Sequence, residues 1–383
     1  MIKKLLIIIT GVFFITLVIF FQIYTFLVPK NGSAIAKDFT SYYFGARIIK
    51  EGKIKSLYDP GVQLYYQNKT LHIDSKSLLP FRGLPVLGII YIPFSLFEYA
   101  TAYKLLVTLL LASLGFSFFL IKREYKTVSA ILIAAYFIEP ILIRNLVQGQ
   151  PSVLFLMILV TSLVLLKSSR YLIAGLVLSL LFLKIQFFPV ALIFAVLVNN
   201  KKFSLGFLLG TLFLALLNTV VYGPSLFYDY IKFLIFTEKP IFGSHLFSTY
   251  TLKSFVEYVG TLFNVNSNQW FLVLNLGLFF CLMVFLFIKR KNIAGSLEDK
   301  LSFAIFSGLF FGIHIIAHDL IFILLPIVFL MKDNQLSRNK YLLPVILLAL
   351  IPWFEYLDIH LILVSICLIL YFAFFYGRRV SLI

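Results

Sequence analysis

Apolar residues come in long blocks along the chain, separated by short basic intervals. The blocks fall at roughly residues 5–28, 101–121, 127–143, 152–166, 171–184, 186–199, 204–222, 270–288, 301–316, 319–331, 341–353 and 360–377. A run of about 18 or more apolar residues marks a helix able to cross a bilayer. The pattern therefore predicts an all-α, polytopic membrane helix bundle of about 10–13 spans, with residues 1–383 as a single integral membrane domain. Blocks of about 13 residues cannot cross a ~30 Å core at 1.5 Å per residue. Those at 171–184, 186–199, 319–331 and 341–353 need either revised bounds or extension by their flanks.

Two polar intervals stand out, a first external loop at 29–100 and a second at 223–269. Within the first, Phe39, Tyr42, Tyr43, Ala46 and Ile49 recur at spacings of three and four, predicting a short amphipathic helix over 39–51. Gly52 is placed to cap it. Residues 86–97 are apolar but broken by Pro93, which suits an interfacial or re-entrant helix. Tyr58-Asp59-Pro60-Gly61 is a turn signal, and Asp59 is assigned to turn geometry. In the second interval, Tyr222-Gly223-Pro224 ends a block and a short helix is expected near 249–262.

Composition agrees with a membrane protein: 61% of residues are hydrophobic and 13% charged, against about 25% charged in soluble domains. The net charge of +17 can signal nucleic acid. Here, however, more than half of the 33 Lys and Arg sit in the intervals that alternation places on one side. This is the positive-inside pattern, so no nucleic-acid partner is expected. Both termini are then cytoplasmic and the 29–100 loop faces outward. Lys3, Lys4 and Ala34-Ile35-Ala36 resemble a signal peptide, but the apolar stretch from Leu5 to Val28 exceeds the ~7–15 residues of a signal core, which favours a retained helix. Cys281 and Cys367 both lie in apolar blocks and give no disulfide framework.

Asp38 is the first carboxylate after the opening apolar block. It can be a general base for an acceptor hydroxyl, or it can cap the helix starting at Phe39. Arg144 and Asn145 precede Gln148-Gly149-Gln150-Pro151 at the outer end of a block. That stretch is either a tight interhelical turn or a site for hydroxyls or a phosphate, which Arg binds bidentately. Lys184 and Arg82 also lie on the outer side, where a cation can snorkel to the interface or meet a lipid phosphate. His314 and His318 are four apart and share a face if the helix is continuous. With Asp319 they offer a polar contact, or a metal set with no further obvious ligand. We expect no metal. His245, Trp353, Glu355 and Asp358 read as ordinary loop residues. There is no Gly-x-x-x-x-Gly-Lys-Ser/Thr and no Gly-x-Gly-x-x-Gly. An enzyme acting outside would then need a lipid-linked, pre-activated donor.

Asp38-Phe39, Tyr42-Tyr43, Ala46-Arg47, Gly52 and Leu57-Tyr58-Asp59-Pro60, taken in order, resemble the first external loop of glycosyltransferase family 87. The order of Pro85, Pro93-Phe94-Ser95-Leu96, Gln148-Gly149-Gln150, Lys184, His318-Asp319-Leu320 and Leu325-Pro326 is similar as well. These are type C glycosyltransferases that use polyprenyl-phosphate mannose. The chain departs from them at Phe81-Arg82-Gly83-Leu84-Pro85, where the family often carries an aromatic and paired prolines, and in its C-terminal third. The resemblance implies inverting transfer of a sugar from a polyprenyl-phosphate donor to a glycan or glycolipid acceptor, at the outer face of a bacterial plasma membrane. Asp38 is then the base, and Arg144, Lys184 and Arg82 are candidates for the donor phosphate. Tyr42, Tyr43, Gln148, Gln150, His318 and Asp319 are candidates for sugar or acceptor contacts. No cofactor is implied, because the lipid-linked sugar is a substrate. The rival is a transporter or flippase of a lipid-linked sugar, which would need polar groups deep in the spans and symmetry between halves. No such symmetry is visible in the sequence.

Overall fold

The computed structural model describes residues 37–126, 139–237, 249–262, 268–331, 342–351 and 360–381. The first apolar block, the Ala34-Ile35-Ala36 stretch, residues 127–138 of the third block, His245, Trp353, Glu355 and Asp358 lie outside these. Among the described residues the chain forms α-helices and short 3₁₀ turns, with no strand. In order the α-helices are α1 (Lys37–Lys50), α2 (Pro60–Leu71), α3 (Pro85–Ile90), α4 (Tyr99–Tyr125), α5 (Glu139–Gln148), α6 (Ser152–Lys167), α7 (Tyr171–Ser179) and α8 (Phe188–Val198). They continue with α9 (Lys201–Tyr222), α10 (Leu226–Thr237), α11 (Leu252–Leu262), α12 (Asn268–Lys289), α13 (Leu297–Phe311), α14 (Leu324–Met331), α15 (Leu342–Leu350) and α16 (His360–Arg379).

Most of the apolar blocks that fall within the described residues recur as helices, and α4 and α9 are long and apolar enough to cross a membrane. The short blocks do not lengthen. Block 171–184 becomes α7 and a 3₁₀ turn over Leu180–Leu183, and block 186–199 becomes a 3₁₀ turn over Ile185–Phe187 and α8. Between them Lys184 is extended, with φ −116° and ψ 92°. Block 319–331 likewise opens as a 3₁₀ stretch, Ala317–Ile323, before α14. The block expected over 301–316 stops at Phe311, because Gly312 is extended (φ −60°, ψ 146°).

Small residues set the closest helix packing. Gly206 and Gly210 on α9 meet Gly175 and Ser179 on α7. A Cβ on Gly206 would strike the Leu172 carbonyl, and one on Gly175 the Phe203 carbonyl. This backbone-to-backbone approach is how helices associate in lipid, where apolar burial supplies no driving force. The opposite face of α9 carries exposed Leu205, Leu209, Leu212, Phe213, Leu216 and Val220. Contiguous apolar exposure on that scale is rare in water and suits contact with acyl chains.

The segment between α1 and α4 builds a platform for the site. Gly52 (φ +75°) ends α1, with Gly52 N donating to Ile49 O and Lys53 N to Ile48 O, both at 3.0 Å. These bonds are the Schellman pattern. Asp59 caps α2 by accepting from Gly61 N (2.8 Å) and Val62 N (3.1 Å), with Pro60 at the first helical position. The buried Gln63 and Gln67 staple the returning segment of the loop by accepting from Phe81 N (2.9 Å) and Leu79 N (2.7 Å). Residues 86–97 form α3 and a separate 3₁₀ turn at Phe94–Leu96. Asn218 Oδ1 on α9 accepts from Val86 N at 2.8 Å.

The helix expected over 39–51 forms as α1, and it is more enclosed than an amphipathic pattern implies. Phe39, Thr40, Ser41, Tyr42, Tyr43, Phe44, Ala46 and Ile48 of α1 are all buried. Periodicity recorded the inward face, but α3 and the Phe94–Leu96 turn cover the other side. Tyr42 stacks on Tyr91 at 4.9 Å, and Thr40 Oγ1 meets the Tyr99 hydroxyl at 2.7 Å.

Candidate active site

Three helix interruptions meet beside the first turn of α1: the α5–α6 joint, the extended Lys184 and the start of the Ala317–Ile323 turn. The 312–316 segment leads into the last, with Ile316 N donating to Asp319. A helix break frees backbone groups and lets short polar side chains gather at one level.

The α5–α6 joint is another Schellman turn. Gln150 N donates to Asn145 O (2.8 Å) and Gly149 N to Leu146 O (3.1 Å). Gly149 takes φ +67°, and a Cβ there would sit 2.6 Å from Phe39 Cβ. Glycine thus satisfies two demands: a left-handed backbone and direct contact with the residue that follows Asp38. The turn sends Gln148 and Gln150 to different partners. Gln148 Oε1 meets His318 Nδ1 at 3.2 Å. Gln150 hydrogen-bonds the Asp38 carboxylate, and its Oε1 accepts from Lys184 Nζ at 3.4 Å.

Asp319 is the hub of the buried half. It is fully enclosed, and Oδ1 accepts from Lys184 Nζ (2.7 Å) and Ser152 Oγ (2.8 Å). Its Oδ2 accepts from Gln186 Nε2 (2.5 Å) and Ile316 N (3.3 Å). A buried carboxylate needs a counter-charge and filled lone pairs, and Asp319 has both. Lys184 also donates to Ser152 Oγ (2.9 Å) and lies 4.7 Å from the Phe187 ring centroid. His318 bridges the two carboxylates: Nδ1 is 3.9 Å from Asp38 Oδ2, and Nε2 is 3.5 Å from Asp319 Oδ1. The His318 carbonyl is held by Asn145 Nδ2 at 2.8 Å.

Asp38 differs from Asp319 in being partly open, with 30% of its side chain exposed. Loss of water on its protein-facing sides raises the carboxyl pKa above the ordinary aspartate value. The Gln150 hydrogen bond, then the charges of Lys184 and Arg144, oppose that rise, and the charge of Asp319 adds to it. The arrangement is a reachable carboxylate, facing cations, beside a saturated ion pair. It can accept a proton from a hydroxyl while the cations stabilise an anion next to it.

The other expected residues fall into place around this group. Tyr42 lies in electrostatic range of both Asp38 and Asp319. Tyr43 is turned to the opposite side, where its hydroxyl donates to Phe97 O at 2.7 Å. Arg82 belongs to an adjoining polar group. Its NH1 meets His314 Nε2 at 2.7 Å and its Nε donates to Thr237 Oγ1 at 3.2 Å. NH2 donates to the Thr237 carbonyl, while the Arg82 carbonyl accepts from the Tyr230 hydroxyl at 2.9 Å. His314 and His318 do not share a helix face, because the chain is extended between them. Among the described residues no three His, Cys, Asp or Glu side chains are placed to hold a metal ion.

Sequence reasoning missed Ser152 and Thr237. Ser152 directly follows Gln150-Pro151 and opens a span, so it read as a helix start. Thr237 ends α10 with no motif around it.

No curated protein matches the chain, and no solved structure does. The model of glycosyltransferase family 87 matches residues 85–317. That segment carries Arg144, Gln148, Gln150, Ser152, Lys184 and His314, and it ends immediately before His318 and Asp319. Asp38 lies upstream of it. With more than half of its length in that match, the chain belongs to glycosyltransferase family 87, and its activity is glycosyl transfer.

Proposed function

We propose that the chain moves a sugar, mannose by family resemblance, from a polyprenyl phosphate to an acceptor hydroxyl at the external face of the membrane. The protein spans the bilayer several times with both termini inside. Asp38 removes the acceptor proton. The acceptor oxygen forms its bond to the anomeric carbon on the side opposite the phosphate, and the C–O bond to phosphate breaks with its electron pair. The sugar is delivered with inversion, and the polyprenyl phosphate leaves carrying one further negative charge. No cofactor is called for, since the donor is already activated.

The observation that carries this reading is the pairing of a partly open carboxylate with cations contributed by the family-matched segment. Arg144 acts electrostatically on Asp38 and is the cation we assign to the donor phosphate. Arg82, upstream of that segment, is held by an imidazole, a hydroxyl and a carbonyl and orders the adjoining polar group. Lys184 is committed to Asp319, so its part is to fix Gln150 and through it Asp38. Tyr42, Gln148, Gln150 and His318 surround the place where sugar and acceptor would meet.

Purified protein in vesicles, given polyprenyl-phosphate mannose and a mannoside acceptor, should form a glycoside of inverted anomeric configuration and free polyprenyl phosphate. Movement of donor between leaflets without glycoside would instead identify a flippase, and retained configuration would exclude single displacement by an Asp38-activated hydroxyl. In the same assay Gly149→Ala should lower transfer by about 100-fold. A Cβ must push α1 away from the joint, and small misplacements of catalytic groups cost on that order. The accompanying loss of stability should stay near ~1–3 kcal/mol, measured by thermal unfolding.

A further inference from the structure

We propose that the Tyr250 hydroxyl is a second ligand of the donor phosphate, donating a hydrogen bond to one of its oxygens beside Arg144. The proposal rests on the reading above, in which Arg144 meets that phosphate.

Tyr250 stands in the second polar interval, between two threonines whose hydroxyls are already occupied. Thr251 Oγ1 accepts from Ser254 N at 3.3 Å and lies 3.2 Å from Ser254 Oγ, which closes the first turn of α11. Thr249 Oγ1 also bonds Ser254 Oγ. The backbone of Tyr250 is pinned as well. Its N–H donates to Ile315 O at 2.7 Å, one residue before the Ile316 N–H that donates to Asp319. Residue 250 is thereby tied to the segment that leads into the Asp319 hub. It is 1% exposed, and its hydroxyl has no hydrogen-bond partner among the described residues.

A hydroxyl that has given up water and gained no partner opposes folding, so such a group calls for an explanation. Charge points to a ligand, and to its kind. Burial raises the Tyr250 phenol above its ordinary pKa, and the Arg144 charge opposes that rise. The phenol therefore keeps its proton at neutral pH and is available as a donor. Arg144 also acts on Asp38 and on His318, so one guanidinium is in range of the base, the imidazole and the phenol. A guanidinium offers donors only. A ligand that meets both it and the phenol proton must accept, and beside a cation the fitting acceptor is an anion. The donor's phosphate has both properties. Tyr91 gives the contrast: its hydroxyl is also buried without a partner, but no charged side chain acts on it.

The test compares the affinity of the purified full chain, in detergent, for polyprenyl phosphate and for the matching unphosphorylated polyprenol. The parent should prefer the phosphate. Tyr250→Phe should lose about 10–100-fold of that preference, the range for a hydrogen bond to a charged group, with polyprenol affinity unchanged. Its kcat/KM for transfer should fall at least as far, because the phosphate gains charge as the sugar leaves. Without ligand the variant should unfold at the parent's temperature or higher, since only an unsatisfied group is removed. Tyr91→Phe should keep the parental preference. If Tyr250→Phe keeps that preference, unfolds earlier without ligand, or loses no more than Tyr91→Phe, the assignment is overturned while the donor reading stands. A parent that binds the two lipids alike overturns the donor reading, and the role of Tyr250 with it.

Discussion

Asp38→Asn should abolish transfer while the fold stays intact. The substitution keeps size and the ability to hydrogen-bond Gln150, and removes only the capacity to hold a proton. Loss of a positioned base costs about 10²–10⁴-fold, read as kcat/KM in the vesicle assay. The pH profile sharpens this. Burial raises the Asp38 pKa, so the carboxyl stays protonated to higher pH than an ordinary aspartate near ~4. Transfer by the parent should therefore fall as pH drops through a limb lying above that value, and the limb should be missing from whatever activity the variant retains. Stability runs the other way. A carboxyl whose pKa is raised by folding opposes folding once it ionises, so stability falls as pH rises above its unfolded value. At neutral pH the Asn variant should unfold at the parent's temperature or higher. Transfer near the parental rate would remove Asp38 as the base.

Breaking the Lys184–Asp319 pair should have the largest effect on folding. Both side chains are buried, at 7% and 0% exposure, and meet at 2.7 Å. Lys184→Met leaves the carboxylate without its cation, and Asp319→Leu leaves the ammonium without its anion. Each should cost about 3–5 kcal/mol, seen as a large fall in unfolding temperature in detergent. Removing both should cost less than the sum, because the second change relieves the stranded charge of the first. It should not be neutral. Ser152 and Gln186 would lose their acceptor, at about 1–3 kcal/mol per unsatisfied buried group. If Lys184→Met unfolds like the parent but fails in transfer, the ammonium serves the donor phosphate directly and the structural role given to it here is wrong.

What the sequence reveals divides along physical lines. Apolar blocks and turn residues act locally, so the apolar helices and the Gly52 and Gly149 turns were legible; Asp59 read as a turn, and the helix it caps, α2, was missed along with α10. Asp38 stood out as a carboxylate beside an apolar boundary. The Lys184–Asp319 pair was not legible: its members are 135 residues apart, and each alone reads as an interfacial charge. Spacing misled at His314 and His318, where four residues suggest one helix face but Gly312 begins an extended segment. The enclosure of α1 was hidden for a related reason. Thr40 and Ser41 look like solvent positions until Tyr99 and the 94–97 turn are folded over them.

The mechanism requires Asp38 to face the donor's anomeric carbon while Arg144 faces its phosphate. The most direct test is a cryo-EM map of the protein in lipid with a non-transferable polyprenyl-phosphonate sugar bound. It should place the phosphonate within hydrogen-bond reach of Arg144, with the opposite side of the anomeric carbon open to Asp38 across a gap that fits one hydroxyl. A head group lodged elsewhere, or one bound with Asp38 turned away from its anomeric carbon, would contradict the mechanism.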